Sequence, residues 1–269
     1  MMEICVVGLW HLGMVTAACM AKIGHHVTGY DADKDLIEKL QAGETPLFEP
    51  GLKDLIQAGI TTGNLQFSAE AAAVAQAELV WVTYDTPVDE NDVADVDFVV
   101  DQVTHLLPFM RQDTLVLISS QLPVGTTARL EAAYHTANPN GSITFAYSPE
   151  NLRLGNAIRV FMEPDRIIIG IRHETDKVRI AEALKPITNN IEWMSAESAE
   201  MTKHALNAFL ATSVAFMNEI ATLCEQVGAD AREVERGLKS EVRIGPRAYL
   251  RPGGAFAGGT LARDLVFLS

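Results

Sequence analysis

The chain has 269 residues, of which 48% are hydrophobic, and its formal net charge is −14. This length and composition are sufficient for a full hydrophobic core in one or two domains. The excess of acidic residues argues against nucleic acids and anionic membrane surfaces as partners.

The cysteines and the N-terminus give a first expectation about location. Cys5, Cys19 and Cys224 stand in apolar contexts, without the spacing of a metal site or of a disulfide framework. No uninterrupted run of about eighteen apolar residues occurs, and the N-terminus lacks the basic region of a secretory signal. We therefore expect buried thiols, no metal site, no membrane segment and a cytoplasmic location.

The first thirty residues have the pattern of a β-α-β unit. A short apolar run at Glu3–Val7 leads into a glycine turn, and a helical pattern follows from Leu12 to Ile23. The segment His26-Val-Thr-Gly-Tyr30 then follows as the second strand of the pattern and ends at Asp31. Because a crossover of this length joins parallel strands, the pattern predicts the start of a parallel sheet.

Further apolar runs recur with helical patterns between them, at Leu79–Val82, Leu115–Ile118, Ile143–Ala146 and Arg166–Gly170. Continuous apolar strands that alternate with helices are typical of a parallel sheet covered on both faces. The sequence therefore predicts an α/β fold, a Rossmann-like, doubly wound and mostly parallel sheet, over about residues 1–190.

The pattern changes after this domain. It predicts one long helix from Ser195 to Val227, with Ser195 and Glu197 as candidate caps and Gly228 as the stop. We therefore expect residues 191–269 to form a second, helical domain.

Gly8-Leu-Trp-His-Leu-Gly13 follows a strand and opens a helix, which is the context of a dinucleotide-binding G-x-G-x-x-G turn. Trp10 replaces the second glycine, which normally lets a pyrophosphate approach the backbone. The indole must therefore swing aside or obstruct the site. A glycine turn that binds nothing stays open as the alternative.

Asp31 lies at the end of the second predicted strand, eighteen residues after Gly13. A carboxylate there can accept hydrogen bonds from the adenosine ribose hydroxyls and repels a 2′-phosphate. This position therefore favours NAD over NADP.

Several blocks are similar, in order, to those of the UDP-glucose/GDP-mannose dehydrogenases. They are Pro46-Leu-Phe-Glu-Pro-Gly-Leu52, Thr86-Pro87, Ala94-Asp-Val-Asp-Phe-Val99, Leu122-Pro-Val-Gly-Thr-Thr127, Ser148-Pro-Glu-Asn-Leu-Arg153, Glu163-Pro-Asp-Arg-Ile-Ile-Ile-Gly170, Glu200-Met-Thr-Lys-His-Ala-Leu-Asn207, Arg243-Ile-Gly-Pro246 and the loop from Pro252 to Asp264. The chain is therefore identified as a divergent member of that family.

The resemblance implies NAD as the cofactor, a nucleotide sugar as the substrate and a homodimer built on the long helix. It also implies a second Rossmann-like domain that binds the nucleotide sugar and is not in this chain, so we expect either the front part of a longer protein or the loss of that domain. The implied cofactor-binding residues are Gly8, Trp10, His11, Leu12, Gly13, Asp31, Thr86, Pro87 and Gln121.

The family oxidises a primary alcohol to an acid in two hydride transfers, with a cysteine that traps the intermediate aldehyde. The implied catalytic residues are Lys203, Asn207, Glu150, Asp264 and Thr260, and the implied substrate contacts are Arg243, Tyr249 and Gly253. Lys203 and Asn207 are four residues apart on the predicted helix, so both point the same way. They could stabilise an oxyanion at the reacting carbon.

Three positions depart from the family, and all belong to the second half of the reaction. Thr260 stands at the place of the cysteine when Arg263-Asp264 is aligned with the family's Lys-Asp. When Gly258-Gly259 is aligned with the family's glycines instead, the position of the cysteine is deleted. In either case the thiol is absent. Leu154 replaces a second glutamate, and Gln121 replaces a threonine that orients water.

We expect a nucleotide-sugar dehydrogenase homologue that is limited to alcohol–aldehyde interconversion. Two alternatives stay open. One is a non-catalytic relative that binds a nucleotide or a partner, favoured by Trp10, Leu154 and Thr260. The other is a two-electron dehydrogenase of the β-hydroxyacid type, which has a Lys…Asn pair and no thiol.

Overall fold

The computed structural model describes residues 1–89, 94–150, 152–253 and 267. Its strands and helices alternate along the first two thirds of the chain. The strands are β1 (Glu3–Val7), β2 (His26–Tyr30), β3 (Leu65–Ser68), β4 (Leu79–Val82), β5 (Leu115–Ile118), β6 (Thr144–Tyr147), β7 (Ile167–Ile171) and β8 (Ile191–Ser195). The helices are α1 (His11–Lys22), α2 (Lys34–Gln41), α3 (Leu52–Thr62), α4 (Val96–Leu106), α5 (Thr126–Ala137), α6 (Ala157–Met162), α7 (Asp176–Leu184), α8 (Ala196–Val227) and α9 (Ala231–Ser240).

The eight strands form one sheet in the order β3-β2-β1-β4-β5-β6-β7-β8. Neighbouring strands are parallel except β6 and β7, which pair antiparallel through Ala146 and Ile171. The chain runs outward from β1 in one direction and from β4 in the other, so the sheet is doubly wound. This confirms the predicted Rossmann-like fold class.

Side chains from β1 reach both faces of the sheet. Ile4 and Val6 belong to one buried apolar cluster, while Cys5 and Val7 belong to the other. Every residue of β4 and β5 is buried, as expected for strands covered on both faces. The continuous apolar runs that predicted these strands are therefore explained by the two helical layers.

The predicted strand bounds at β1, β2, β4 and β5 are confirmed, and those of β6 and β7 are off by one residue. The strands β3 and β8 were not predicted. Both lie at the edges of the sheet, where half-exposed positions interrupt the apolar pattern. β8 extends the sheet five residues beyond residue 190.

Helix ends follow the expected local chemistry. Asp33 and Asp95 cap α2 and α4, because their carboxylates accept the backbone N–H groups of Leu36 and Phe98. The predicted long helix is present as α8, and Gly228 follows it with φ 75°. Ser195 caps it as predicted, since its Oγ accepts the Ser198 N–H at 3.2 Å.

The chain divides into two compact units. One comprises Met1–Pro87 and Asp95–Met201 and contains the sheet, and the other comprises Val88–Ala94 and Thr202–Ser269. The three cysteines are free and buried, as predicted.

Among the described residues, α8 is the one helix long and apolar enough to cross a membrane, with a mean hydropathy of 1.2 over eighteen residues. No membrane segment was predicted from the sequence. This finding concerns length and composition alone, and the core helix of a water-soluble protein meets the same criterion.

Candidate functional site

The glycine turn lies between β1 and α1, at the carboxyl end of the parallel strands. Gly8 has φ +90°, and its N–H donates to the Tyr30 carbonyl of β2 at 3.0 Å. A Cβ on Gly13 would lie 2.0 Å from the Gly8 carbonyl oxygen. Both positions therefore require glycine, one for its backbone angle and the other for close contact between strand and helix.

The start of α1 has the features of an anion-binding helix N-terminus. No side chain caps this helix, and its first turn contains no acidic residue. Its first backbone N–H groups can therefore receive a phosphate. Trp10 occupies the cap position and is 47% exposed, so the indole is not part of the core, while His11 and Leu12 are half-buried.

Asp31 lies directly beside this turn. Its Oδ2 accepts the Leu9 N–H at 2.8 Å, and its Oδ1 accepts the Asp33 N–H at 3.1 Å. Each carboxylate oxygen keeps a second lone pair, and the side chain is only half-buried. The carboxylate is therefore held in place and can still accept hydrogen bonds from two ribose hydroxyls.

The loops after β4 and β5 meet at the same edge of the sheet. The Thr86 hydroxyl donates to the Gln121 carbonyl at 2.6 Å, which joins two of the predicted cofactor residues. Pro87 follows on the exposed side of the loop. The Thr83 hydroxyl lies 2.9 Å from the Gly8 carbonyl, to which it donates, so the glycine turn is tied to the loop after β4.

Two polar groups beside these loops make no hydrogen bond within the described part of the chain. They are the buried Ser120 hydroxyl, next to Gln121, and the Tyr84 hydroxyl. The Tyr84 ring lies against the glycine turn, since a Cβ on Gly8 would approach it to 2.6 Å. Burial raises the pKa of Tyr84, so it stays protonated at any physiological pH. Buried hydroxyls normally have a hydrogen-bond partner. The Ser120 and Tyr84 hydroxyls are therefore available to a ligand bound at this edge of the sheet.

Glu150, the candidate proton-transfer residue, follows β6 at the carboxyl edge and is half-buried. Its loop is linked to the loop after β5 because the Ser119 hydroxyl donates to the Ser148 carbonyl at 2.7 Å. Leu154, which replaces the family's second glutamate, is 63% exposed. The structure therefore brings Glu150 to the same sheet edge as Gln121 and the glycine turn.

A buried glutamate that sequence reasoning did not select lies between these segments. Glu49 accepts hydrogen bonds from His11 Nε2 at 3.0 Å and from the backbone N–H groups of Gly155 and Ala157 at 2.7 and 2.9 Å. Burial alone would raise the pKa of the Glu49 carboxyl, but these bonds outweigh it and the pKa is lowered. Its place in the block Pro46–Leu52 was the signal that could have singled it out.

The remaining predicted residues belong to the second unit. Lys203 and Asn207 lie one turn apart on α8, and Asn207 is buried while Lys203 is half-buried. Between them His204 is fully buried and makes an edge contact with the Phe267 ring, with centroids 5.3 Å apart. This confirms the helical setting of the pair and leaves its catalytic role as a prediction.

The three predicted substrate contacts differ in their surroundings. Arg243 pairs with Glu241, with Nε and Oε1 2.9 Å apart, and Tyr249 is exposed. Gly253 has φ +97°, and its N–H donates to Asn218 Oδ1 of α8 at 3.1 Å. Thr260 and Asp264, the other catalytic candidates, lie outside the described residues.

No group of three or more histidine, cysteine or acidic side chains in the described part of the chain could hold a metal ion. The polar groups gathered at the sheet edge instead fit a dinucleotide. The uncapped backbone N–H groups at the start of α1 can bind a phosphate, and the Asp31 carboxylate can accept hydrogen bonds from ribose hydroxyls.

Comparison with known proteins agrees with this geometry. Residues 2–188 match the NAD-binding domain of the UDP-glucose/GDP-mannose dehydrogenase family, and residues 197–269 match its central domain. The chain is 36% identical over 266 residues to the UDP-glucose 6-dehydrogenase YwqF of Bacillus subtilis, covering 98% of this chain and 60% of that protein. It thus spans about three fifths of the curated relatives it matches.

Among solved structures, the UDP-glucose dehydrogenase of Pyrobaculum islandicum is 30% identical, with a TM-score of 0.91 over 100% of this chain and 63% of that one. The 3-hydroxyisobutyrate dehydrogenase of Mycobacterium tuberculosis is 19% identical, with a TM-score of 0.72 over 100% of this chain and 85% of that one, and shares the fold alone. The match to the NAD-binding domain confirms the predicted cofactor, NAD. The chain therefore belongs to the UDP-glucose/GDP-mannose dehydrogenase family.

Proposed function

We propose that the chain binds NAD at the glycine turn and takes part in the oxidation of a CH–OH group of a nucleotide sugar to an aldehyde. The proposal rests on the tight turn formed by Gly8 and Gly13 before α1 and on the Asp31 carboxylate that is hydrogen-bonded to it. Bound NAD supplies the acceptor for the hydride. The chain's own residues bind and orient the substrate and transfer the proton.

The roles of these groups follow from their chemistry. The Lys203 ammonium and the Asn207 amide stabilise negative charge on the reacting oxygen, because both are hydrogen-bond donors. Glu150 carries a proton to or from that oxygen. Arg243 and Tyr249 contact the nucleotide sugar, together with the backbone around Gly253.

The reaction stops at the aldehyde because position 260 carries no thiol. A threonine hydroxyl without an adjacent base is too weakly acidic to trap an aldehyde. Leu154 also removes a carboxylate that the later hydrolysis would use. The protein therefore catalyses a single two-electron step.

The stoichiometry tests this proposal. With NAD and UDP-glucose, the chain should release one NADH per sugar consumed, and the reaction should run backwards with NADH. NADH is measured by absorbance and the sugar products by chromatography. Thr260→Cys should at most accumulate a covalent adduct. Two NADH per sugar with a uronic acid as product would contradict the proposal.

A second candidate function, a non-catalytic nucleotide-binding homologue, is favoured by the exposed indole of Trp10 at the phosphate position. It predicts heat of NAD binding without turnover of any nucleotide sugar. The same assay separates the two functions.

We also propose that α8 forms the interface of a homodimer. Its large apolar residues Phe209, Phe216 and Leu223 recur every seven residues and are 69%, 49% and 54% exposed. A second copy can cover this stripe by a two-fold contact. Phe209→Ser together with Phe216→Ser should convert a dimer into a monomer in analytical ultracentrifugation, and a monomeric parent at micromolar concentration would contradict the interface.

A cytoplasmic location stays a prediction. It is supported by the free state of Cys5, Cys19 and Cys224.

A further inference from the structure

Glu49 is the buried carboxylate that connects two parts of the candidate site. Its side chain is 1% exposed. Oε2 lies 3.0 Å from His11 Nε2 and 2.7 Å from the Gly155 nitrogen, and Oε1 lies 2.9 Å from the Ala157 nitrogen. An ionised carboxylate has about four acceptor positions, so three of them are filled by donors from two other segments.

The first of these segments is the start of α1. His11 is the first residue of that helix and immediately follows Trp10, at the end of the glycine turn. A hydrogen bond between an imidazole N–H and a carboxylate is a charge-assisted bond, which is stronger than one between neutral groups. Glu49 therefore fixes the orientation of the His11 ring beside the place where the pyrophosphate would lie.

The second segment is the loop between β6 and α6, which carries Glu150. Its residues Arg153, Leu154 and Gly155 are exposed, so apolar burial does not hold this stretch of the loop in place. Gly155 also has φ +85°, and its Cβ position would meet no neighbouring atom. The hydrogen bonds from the Gly155 and Ala157 N–H groups to Glu49 therefore tie the exposed end of this loop to the buried carboxylate.

We propose that Glu49 is a positioning residue that links the glycine turn to the loop of Glu150, so that NAD binding and the order of that loop are thermodynamically coupled. This inference rests on the proposed function, because it assumes that NAD binds at the turn. Ligand contact with the start of α1 restricts His11, and His11 acts on the loop through the shared Glu49 carboxylate. Glu49 itself touches neither substrate nor cofactor.

Glu49→Gln is the central test, since glutamine keeps the shape but its NH₂ group cannot accept a hydrogen bond. We expect NAD to bind the variant roughly tenfold more weakly by calorimetry, as for residues coupled through one hydrogen-bond network. We also expect the Gly155 and Ala157 amides to exchange with solvent roughly tenfold faster in the variant. In the parent, NAD should slow the exchange of both amides, and in the variant it should not.

Glu131→Gln is the matched control in the same unit. Glu131 is also a buried glutamate bonded to a histidine, with His173 Nε2 3.0 Å from its Oε1, and it holds Arg172 as well. This variant loses a comparable buried contact. It should leave NAD affinity and the exchange of the Gly155 amide at the parent's values.

A pair of His11 variants tests the same link from its other end. His11→Gln keeps an N–H donor in reach of Glu49 and should bind NAD more tightly than His11→Phe. His11→Phe keeps a ring without the donor and should show the loss seen in Glu49→Gln. The double variant His11→Phe with Glu49→Gln should bind NAD no more weakly than either single variant, because both substitutions remove the same hydrogen bond.

The outcomes separate the two proposals. A parent that binds no NAD refutes the proposed function and the coupling with it. A parent that binds NAD, with Glu49→Gln and Glu131→Gln both at parental affinity, refutes the coupling alone. Equal NAD affinity of His11→Gln and His11→Phe would likewise overturn the role of the link.

Discussion

The central strands of the sheet and the helix α8 differ in how far their large apolar side chains are buried. In β4 and β5 every residue is buried within the sheet's own unit. On α8, Phe209, Phe216 and Leu223 are large, apolar and about half exposed or more. The apolar side chains of these strands are therefore buried within the chain, while the exposed apolar side chains of the helix are suited to contact with another molecule.

The largest effect is expected from emptying the sheet core. Phe145 is fully buried, so Phe145→Ala should lower the free energy of unfolding by about 3–5 kcal/mol through lost apolar contact and a cavity. The matched change on the helix, Phe209→Ala, should cost less than about 0.5 kcal/mol at concentrations where the protein is monomeric. Urea unfolding measures the free energy of unfolding of each variant. Equal losses for Phe145→Ala and Phe209→Ala would contradict the difference in burial between the sheet and the helix.

The next effect concerns the first turns of α8, which are tied to the sheet's unit. Glu200 is fully buried and accepts the N–H groups of Gly125 and Thr127 and the Thr127 hydroxyl, at 2.6 to 3.0 Å. Glu200→Ala leaves these donors without an acceptor and should cost about 2–3 kcal/mol in unfolding free energy. Glu219→Ala, an exposed glutamate of the same helix, serves as the control and should cost less than about 0.5 kcal/mol.

A smaller, pH-dependent effect is expected inside the sheet's unit. Asp176 is buried, and its Oδ2 makes no hydrogen bond within the described ranges, although Thr144 donates to Oδ1. Burial raises the pKa of this carboxyl above its value in the unfolded chain. The folded state therefore disfavours the ionised form, and stability is lost as the pH rises through the folded-state pKa.

Asp176→Asn should remove this loss. The thermal midpoint of the variant should exceed that of the parent by on the order of 2 °C at pH 7. The difference should disappear as the pH falls towards about 3.9, the ordinary pKa of an aspartate, because the parent's carboxyl is then protonated in both states. A constant difference across this range would show that Asp176 does not titrate as proposed.

The same contrast explains what the sequence could predict of the fold. The strands β1, β4 and β5 lie at the centre of the sheet, where an unbroken apolar run marks a strand, and β2 was marked by its place after the first predicted helix. The edge strand β3 alternates apolar and polar residues over only four positions, and no residue of the edge strand β8 is buried, so neither forms a continuous apolar run. Helix α9 was not predicted, because its apolar side is limited to Ala231, Val234 and Leu238 and none of its residues is buried.

The candidate site was predictable where a residue type is required by local geometry. Gly8, Gly13 and Asp31 stand out because the turn and the strand end fix their roles. Glu49 did not, because its role depends on contacts 38 and about one hundred residues away along the chain. Such long-range hydrogen bonds leave no period or spacing in the sequence.

We infer that the glycine turn binds NAD although Trp10 stands at the position of the second glycine. Calorimetric titration with NAD tests it most directly, for the parent and for Trp10→Gly. Both forms should bind NAD, and Trp10→Gly should bind it at least as tightly as the parent. NADP should bind more weakly than NAD, because Asp31 repels the 2′-phosphate. The absence of any heat of binding in both forms at millimolar NAD would contradict the claim.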